Sequence, residues 1–589
     1  MSILRKNIID SKRFVFIVSG MLGAIFFMCV FGVRVLNPTY VDWLIIPTIQ
    51  DRFQHYLGWV AYRHSDWYFP LGLHHGATYP FTHSVIYSDS IPVFAIFFKA
   101  ISFMLPENFQ YFGWVGILWY ILQGGFAGLI IKRISANTWF SIIGSLFFTM
   151  SAFMAYRMLN HTALAAHFLI LAAVYVCITK NDTERSLRQN CVIWGLLLGL
   201  TAGIHIYLLV MLFGIMCFYF LDDLLEYKKI KKTVIGFCVP LLVVLTVFFV
   251  YGVFHTGADN TTGGLGNFSG NLNQIINPNA VYADIGAQYS DYSIFLKPLP
   301  LIAAEEGFIT DSKQSEGNVY IGLGMIFFFF ISLAVFIADF REYKTKLSDK
   351  RNLRQTILAI TMFFAFYIFA LSPIVTLGNS VVFDYSFINR WIIRRLLDIF
   401  RATGRFAWVS VYILMIVILW IAAKKYKKPV LIIIASVLVC IQCIDISGYF
   451  IAKGEIFRNR QVYETNMTSE IWNTVARDFD HVVYLDHTVN RDHVFIFASH
   501  NGLTVNDTYL ARKDTIRIEA FKRETREMLY RGIAEYDKIY IFGTVPEELI
   551  IDNKLVVYMV DDMIIGFAKE VENAEYMSGV VRITADMLQ

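Results

Sequence analysis

The stretch "FVFIVSGMLGAIFFMCVFGVRVL", residues 14–36, decides the fold class of this chain. An apolar run of this length crosses a bilayer core of about 30 Å as a helix. The basic segment before it, residues 1–13, has the charge order of a signal peptide, but the run is too long and lacks a clear small-residue cleavage site. We therefore predict a retained first span with a cytoplasmic N-terminus.

Apolar runs of similar length recur along the first 450 residues. The mean hydropathy of +0.52 and the 56% share of hydrophobic residues are typical of a polytopic α-helical membrane protein. We predict eleven spans, at 14–36, 110–131, 139–155, 162–179, 191–206, 207–221, 233–254, 317–338, 355–372, 406–423 and 429–446.

Basic residues set the predicted orientation. Short segments that alternate with the spans hold 23 Lys and Arg residues, at 1–13, 132–138, 180–190, 222–232, 339–354 and 424–428. The positive-inside rule places them in the cytoplasm. Counting the apolar segment 88–105 as a crossing would reverse this order, so we predict a short helix there on the outer leaflet. The net charge of +4 gives no indication of nucleic-acid binding.

The chain divides into two predicted domains. Residues 1–450 form a multi-span membrane domain with outer loops at 37–109, which carries interfacial helices, and at 255–316. Residues 451–589 form a small extracytoplasmic α/β domain. Its predicted strands are "HVVYL", "HVFIFA", "KIYIFG", "KLVVYMV" and "MIIGFA", around a helical "DTIRIEAFKRETREMLYRG".

The cysteines are predicted to be packing residues. All seven lie in or at the edges of apolar runs, with neither CxxC nor Cys/His metal spacing. We expect them to be buried, without disulfides and without a zinc site.

The first outer loop opens with a polar helix, "DRFQHYLGWVAY", residues 51–62. Helical spacing puts Asp51 and His55 one turn apart, with Trp59 and Tyr62 on the same side and apolar residues tending to the other. This pattern predicts an amphipathic helix at the membrane interface. A structural role is the alternative, since Asp51 favours a helix N-terminus and Trp and Tyr are common at interfaces.

Further polar residues collect at predicted outer ends of spans: Asp89, Arg157, His161, His205, Glu316, Arg401 and Arg405. Polar groups at membrane depth are costly, so several on one side indicate a site in a cavity. A carboxylate there can take a proton from a hydroxyl nucleophile while Arg and His neutralise a departing phosphate. The alternatives are snorkelling arginines, interhelical histidines and a helix start at Glu316.

Four blocks of sequence carry a family resemblance: "QDRFQHYLGW", "SDSIP", "EGNVYIGLG" and "FRATGRFAW". Together with "GLIIKR" (128–133) and the segment 156–172, they resemble the glycosyltransferase C superfamily, in a little-characterised bacterial branch. Members are membrane transferases that use polyprenyl-phosphate sugars. The resemblance implies an inverting transfer at the outer leaflet from a lipid-phosphate sugar to an acceptor hydroxyl.

The resemblance also assigns roles to residues. Asp51 matches the acidic residue of the superfamily's first loop, the general base, and Asp89 is a candidate second carboxylate or a helix cap. His55, Arg157, His161, His205, Glu316, Arg401 and Arg405 are candidates for binding the lipid phosphate or the sugar. Two departures from the superfamily pattern stand out: Arg52 replaces a second acid, and Ser-Asp-Ser-Ile-Pro replaces His-Pro-Pro-Leu. Arg52 argues against a paired-acid metal site, so we expect no metal and no other cofactor.

The predicted function is therefore a multi-pass plasma-membrane glycosyltransferase. Its expected partners are a polyprenyl-phosphate-linked sugar, membrane lipid and a cell-surface glycan acceptor, which is a polysaccharide, a teichoic-acid-like polymer or a glycolipid. A transporter or flippase of a lipid-linked glycan is one alternative, although the sequence lacks inverted repeats and mid-span charges. A non-catalytic assembly partner is the other.

Overall fold

The computed structural model describes residues 11–46, 51–181, 185–255, 257, 268–279, 292–299, 314–385, 387, 400–486 and 490–587. Most of the predicted outer loop 255–316 lies outside these residues. Contacts between Cα atoms group the chain into two compact units. We call Met1–Pro38, Tyr111–Val244 and Thr261–Arg460 the helical unit, and Thr39–Gln110, Leu245–Asn260 and Gln461–Gln589 the sheet unit.

Helices dominate the described chain. The longer ones are Lys12–Phe31, Phe112–Ser135, Thr138–Thr149, Phe168–Ile178, Leu187–Ala202, Ile206–Tyr227, Ile230–Val250, Leu323–Ala338, Lys350–Leu371, Ala407–Lys425, Lys428–Arg458, Asp51–His64, Arg491–His500 and Thr515–Tyr530. The shorter ones are Asp42–Ile45, Pro92–Ala100, Ala152–Asn160, Phe340–Lys346, Ile471–Asp478 and Glu547–Ile551.

Seven of the described helices are long and apolar enough to cross a membrane. The helices Thr138–Thr149 and Ala152–Asn160, bent by 49° at their junction, make an eighth candidate, and Thr162–Ile178 and Leu323–Ala338 are shorter apolar helices. Each of the eleven predicted spans overlaps a described helix, but eleven exceeds the number that meets the length and composition of a span. The chain is thus mostly helical with about seven candidate spans, and the side that each loop faces stays a prediction.

Capping residues mark where these helices begin and end. The Ser11 hydroxyl accepts the Phe14 N–H at 3.1 Å, and Gly32 ends that first helix with φ +75°. A capping box formed by Ser186 and Gln189 starts the helix at Leu187. Serine, asparagine and aspartate at these positions satisfy N–H groups that the helix itself leaves unpaired.

Glycines bring the first two long helices of the helical unit into backbone contact. A Cβ built on Gly23 would lie 2.1 Å from the Tyr120 carbonyl oxygen, and one on Gly124 would lie 2.3 Å from the Ser19 carbonyl oxygen. Small residues of this kind allow close packing where apolar lipid provides no hydrophobic drive between helices.

The cysteines do not pack as predicted. All seven are free, but four are exposed (Cys29, Cys238, Cys440 and Cys443) and three are partly exposed (Cys177, Cys191 and Cys217). The expectation of buried cysteines was therefore wrong, because an apolar run on a candidate span places side chains on the outward helix face as well as in the protein core.

The sheet unit contains a six-stranded mixed sheet. Its strands are β5 (His481–Tyr484), β6 (Thr504–Val505), β7 (Lys538–Phe542), β8 (Val556–Val560), β9 (Met563–Phe567) and β10 (Val580–Ile583). They lie in the order β10-β8-β9-β7-β5-β6, with β5 parallel to both β6 and β7 and the remaining pairs antiparallel. Two short hairpins lie elsewhere in the chain: β1 (Leu73–His74) pairs with β2 (His83–Ser84), and β3 (Ile374–Leu377) pairs with β4 (Ser380–Asp384).

The small α/β tail is present, with two corrections. The segment "HVFIFA" was predicted as a strand but lies in the helix Arg491–His500. The expected boundary at 450/451 falls inside the continuous helix Lys428–Arg458, and the compact units divide at 460/461. The helix Thr515–Tyr530 and the other four predicted strands are confirmed.

The first loop belongs to the sheet unit. The Tyr79 N–H donates to the Val505 carbonyl at 2.9 Å, and the Val505 N–H donates to the Gly76 carbonyl at 3.1 Å. Segment 76–79 therefore covers the edge of the sheet at β6, where an open strand would otherwise expose unpaired backbone groups.

Candidate functional site

The helix Asp51–His64 is enclosed on all sides. Every residue from Arg52 to Tyr62 is buried, including Trp59 and Tyr62. The prediction of one polar and one apolar face was therefore wrong, because both faces of the helix pack against protein. Its place at the membrane interface stays a prediction. Asp51 is its first residue and is partly exposed, where a carboxylate interacts favourably with the helix dipole.

The structure brings His55 and Asp89 together. A ring nitrogen of His55 and a carboxylate oxygen of Asp89 lie within 4.8 Å of each other. His55 is 1% exposed, whereas Asp89 is partly exposed. A histidine and a carboxylate within this distance interact electrostatically and can contribute two ligands to a cation. We call these two residues and Asp51, which are the candidate residues of the first loop, the acidic group.

The segment "SDSIP" adopts an unusual backbone. Asp89 has φ +53°, which aspartate tolerates, and Ile91 also has φ +53°, although its side chain is β-branched and fully buried. A left-handed isoleucine costs about 1–3 kcal/mol, and such residues concentrate at functional sites. The strain turns the chain so that Pro92 starts the helix Pro92–Ala100 directly behind Asp89 and Ser90.

A glycine holds this segment against the helix. A Cβ on Gly58 would lie 2.3 Å from Ser88 Cβ and 2.8 Å from Ser90 Oγ. The Ser90 hydroxyl donates to the His55 carbonyl at 2.7 Å and lies 2.8 Å from the Ser88 hydroxyl. Gly58 thus lets the backbone of the "SDSIP" segment approach the turn that carries His55.

In the helical unit, Glu316 bridges two arginines. Arg157 Nη1 donates to Oε1 at 3.0 Å and Arg157 Nη2 pairs with Oε2. Arg405 Nε donates to Oε2 at 2.7 Å and its Nη2 to Oε1 at 3.0 Å. The three side chains are only 4%, 10% and 13% exposed, in the order Arg157, Glu316, Arg405. We call these three residues the ionic cluster.

The ionic cluster keeps a net positive charge. Burial opposes ionisation of Glu316, but Arg157 and Arg405 outweigh it and hold the pKa of this carboxyl well below its usual range. One carboxylate between two guanidinium groups leaves a charge of +1. Aromatic rings cover the arginines: Tyr156 lies 4.6 Å from Arg157, and Tyr207 lies 4.6 Å from Arg405.

Glycine backbones position Glu316. A Cβ on Gly404 would lie 2.5 Å from Gly317 Cα, and one on Gly317 would lie 2.3 Å from Gly270 Cα. The Gly404 N–H donates to the Phe268 carbonyl at 2.9 Å. Three chain segments therefore cross at van der Waals distance, and this crossing presents Glu316 to Arg405.

A polar network that sequence reasoning missed lies beside this crossing. The Asn271 amide donates to Gln314 Oε1 at 3.0 Å and to Thr376 Oγ1 at 3.1 Å, and Gln314 Nε2 donates to Thr376 Oγ1 at 2.7 Å. All three residues are buried. The only sequence signals were the Asn-rich stretch around Asn271 and the position of Gln314, two residues before Glu316.

The remaining candidates in the helical unit have different surroundings. The His161 and His205 rings lie 5.0 Å apart, and His205 Nδ1 accepts the Tyr207 N–H at 3.1 Å, which makes it the cap of the helix Ile206–Tyr227. Arg401 is exposed and lies 5.3 Å from the Phe268 ring. The predicted basic residues therefore divide into the buried ionic cluster, a histidine pair and an exposed arginine.

Comparison with known families identifies the chain at the level of sequence. The profile described as "Domain of unknown function (DUF6311)" matches residues 20–447, most of the chain, and that of the "DUF6311 C-terminal domain" matches residues 471–568. The chain belongs to the DUF6311 family. No curated protein matches its sequence.

Among solved structures, this DUF6311 protein is similar to an oligosaccharyltransferase from Archaeoglobus fulgidus in its apo form. The two chains share 10% identity with a TM-score of 0.43, and the match covers 94% of this chain and 74% of the archaeal chain.

Proposed function

We propose that this DUF6311 protein is a membrane glycosyltransferase that moves a sugar from a polyprenyl-phosphate donor to a hydroxyl of a cell-surface glycan or glycolipid. One observation carries the proposal: the four sequence blocks that resemble the glycosyltransferase C superfamily pair in space. "QDRFQHYLGW" contacts "SDSIP" through His55 and Ser90, and "EGNVYIGLG" contacts "FRATGRFAW" through Glu316 and Arg405. Each pairing includes residues to which the resemblance assigns a role in catalysis or substrate binding.

The proposed reaction is a single displacement. Asp51 takes the proton of the acceptor hydroxyl, the oxygen forms a bond to the anomeric carbon, and the bond from that carbon to the phosphate oxygen breaks. The lipid phosphate leaves with the bonding electrons, and the configuration at the anomeric carbon inverts. Asp89, whose carboxylate lies within 4.8 Å of a His55 ring nitrogen, is the second candidate for the base, and a carboxylate in this role contributes about 10²- to 10⁴-fold to the rate.

In the helical unit, the ionic cluster is our candidate for the charge that stabilises the leaving group. A buried charge of +1 stabilises the negative charge that develops on the departing phosphate, because fixed charges in a low-dielectric site act more strongly than in water. Glu316 then holds the two guanidinium groups in a fixed arrangement, and its negative charge reduces the net charge of the cluster to +1. His161, His205 and Arg401 remain candidates for contacts with the phosphate or the sugar.

The test is the sugar composition of purified surface polymers and glycolipids. Five strains are compared: parent, deletion, Asp51→Asn, Asp89→Asn and the matched control Glu107→Gln, which alters an exposed acid of the same unit. At equal protein abundance, we expect the deletion and one or both Asp→Asn strains to lose the same sugar and the control to keep it. If both Asp→Asn strains retained the sugar that the deletion loses, neither residue would be the base.

A second readout separates transfer from transport. A transferase that is blocked at its base leaves the lipid-linked donor on the outer leaflet, where an impermeant oxidant of vicinal diols reaches it. A blocked flippase leaves the donor on the inner leaflet, protected from the reagent. Protected donor in the Asp51→Asn strain would contradict glycosyl transfer, and loss of transfer after chelation by EDTA would contradict the expected metal independence.

A further inference from the structure

The sheet unit contains a polar cleft whose lining includes none of the residues assigned to the proposed reaction. Its volume is about 420 Å³, within the range of about 300–1,000 Å³ that is typical of small-molecule sites. The first loop and the C-terminal sheet domain both line it. The side chains that matter here are Asp66, Tyr68, Tyr79, Asp480, His481 and Thr504.

Aromatic rings form one part of the lining. Tyr79 stacks on His481 with ring centroids 3.8 Å apart and planes 20° from parallel. Tyr68 meets the His75 ring edge to face at 4.6 Å. These rings are half-buried, so each retains exposed surface. Ring surfaces of this kind pack against the C–H faces of a sugar ring, since both are flat and weakly polar.

Hydrogen-bonding groups form the other part. Asp66 and Asp480 are exposed, and carboxylates accept hydrogen bonds from pairs of neighbouring hydroxyls. His481 Nδ1 lies 2.8 Å from Thr504 Oγ1 and its Nε2 lies 3.7 Å from Asp537 Oδ2, so the Thr504 hydroxyl is the group held toward a ligand. His64 Nδ1 donates to the Ser499 carbonyl at 2.7 Å. Because a carbonyl only accepts hydrogen bonds, the proton of the neutral His64 ring lies on Nδ1. The other ring nitrogen, Nε2, is then an acceptor.

The charge of the lining selects the ligand. Its described residues include two carboxylates and neither lysine nor arginine. Burial lowers the pKa of His64 and of His481, so both rings are neutral near pH 7. Two lysines outside the lining have partners of their own: Lys99 donates to the Asp66 carbonyl at 3.1 Å, and Lys538 pairs with Glu535 at 2.6 Å while its Nζ lies 5.3 Å from the Tyr79 ring centroid. Phosphate and other anions are therefore disfavoured.

We propose that this cleft binds an uncharged saccharide, the acceptor glycan of the reaction. This inference rests on the proposed function. It restricts the acceptor to a glycan whose bound segment carries no phosphate or carboxylate. Stacked rings, exposed carboxylates and neutral imidazoles match a polyhydroxylated ligand without formal charge. His64 lines the cleft at the C-terminal end of the helix that Asp51 begins, about 20 Å from Asp51 along the helix axis, so the glycan extends from the cleft toward Asp51.

The test uses full-length protein in lipid nanodiscs. Surface glycans from the deletion strain are separated by anion exchange into neutral and anionic fractions, and each is end-labelled for fluorescence polarisation. We expect the neutral fraction to bind. Asp480→Asn and Tyr68→Ala each remove a direct contact and should weaken binding by about tenfold or more. The matched controls Asp478→Asn and Tyr536→Ala, at exposed positions outside the cleft, should bind as wild type.

Three outcomes would overturn the proposal: binding of the anionic fraction alone, binding of neither fraction, or neutral binding that the two cleft variants leave unchanged. Asp480→Asn conserves size at an exposed site, so it keeps the test decisive if Tyr68→Ala fails to fold. In a transfer assay, cleft variants should raise the acceptor KM with little change in kcat, whereas Asp51→Asn should lower kcat. If the protein bound the neutral fraction but its deletion removed no surface sugar, the transferase function would be rejected. The cleft would still be a saccharide-binding site.

Discussion

The acidic group and the ionic cluster were predicted by the same reasoning, yet they are built differently. In the ionic cluster each guanidinium is tied to Glu316 by two hydrogen bonds, and the three side chains are at most 13% exposed. In the acidic group Asp51 and Asp89 stay partly exposed, and the backbone beside Asp89 is strained at Ile91. The cluster fixes a charge, whereas the acidic group presents carboxylates to solvent.

Under the proposed function, this difference assigns a different part of the chemistry to each region. A base must exchange protons with substrate and water, and the accessible carboxylates can do so. A charge that stabilises a leaving phosphate works best when it does not change through the reaction, and a buried cluster whose two guanidinium groups are held by Glu316 meets that requirement. Variants that shift one property without the other therefore test the comparison.

The largest stability effect is expected for Glu316→Gln. This change leaves Arg157 and Arg405 buried without a counter-charge, which typically costs about 3–5 kcal/mol. Thermal unfolding of the purified protein in detergent measures the loss. Glu455→Gln, at an exposed position on the helix Lys428–Arg458, is the matched control and should melt as wild type. An unchanged melting temperature for Glu316→Gln would mean that the ionic cluster does not stabilise the fold.

Two glycine variants compare the backbone crossings behind each region. A Cβ at Gly404 meets the backbone of Gly317, whereas a Cβ at Gly58 meets the Ser88 side chain. We expect overpacking to cost about 1–3 kcal/mol in both, with Gly404→Ala at the upper end because a backbone cannot rotate away. Gly195→Ala, whose Cβ has no neighbour closer than 3.5 Å, is the control. A larger loss for Gly58→Ala would reverse the assignment of the more rigid crossing.

The sequence predicted the helices better than the strands. Long apolar runs mark candidate spans because burial and lipid impose the same composition over many residues. "HVFIFA" was misassigned because six residues fit both periodicities. Val494, Phe495, Ile496 and Ala498 are buried there, and the spacing of four between Val494 and Ala498 is that of a helix face.

The site was predictable as a set of residues but not as an arrangement. Arg157 and Arg405 lie 159 and 89 residues from Glu316, so their pairing depends on the crossing at Gly317 and Gly404. No propensity favours a left-handed isoleucine, so the turn at Ile91 follows only from the tertiary structure. The burial of the helix Asp51–His64 was missed because the sequence gives no sign that the first loop covers the edge of the C-terminal sheet.

Substitutions at Asp89 separate its charge from its backbone. Aspartate and asparagine both tolerate φ +53°, whereas alanine there costs about 1–2 kcal/mol. We expect Asp89→Asn to melt within about 0.5 kcal/mol of wild type and Asp89→Ala to be less stable by about 1 kcal/mol. If transfer depends on the carboxylate, both variants lose it equally. Activity that follows stability instead would assign Asp89 a purely conformational role.

The smallest expected effect is the pH dependence that Glu316 contributes. Its pKa is depressed in the folded protein, so its stabilisation is complete above the pKa of an unfolded glutamate, about 4.3, and falls as the pH drops through and below that value. At pH 4.3 half of the unfolded chains carry the proton, which removes about 0.4 kcal/mol. The advantage of wild type over Glu316→Gln should therefore be constant between pH 8 and 6 and shrink below pH 5. Other carboxylates titrate in both proteins and cancel in the difference between their melting temperatures. If the difference in melting temperature already changed between pH 8 and 6, a group other than Glu316 would be titrating. The charge of the ionic cluster would then not be fixed over this pH range.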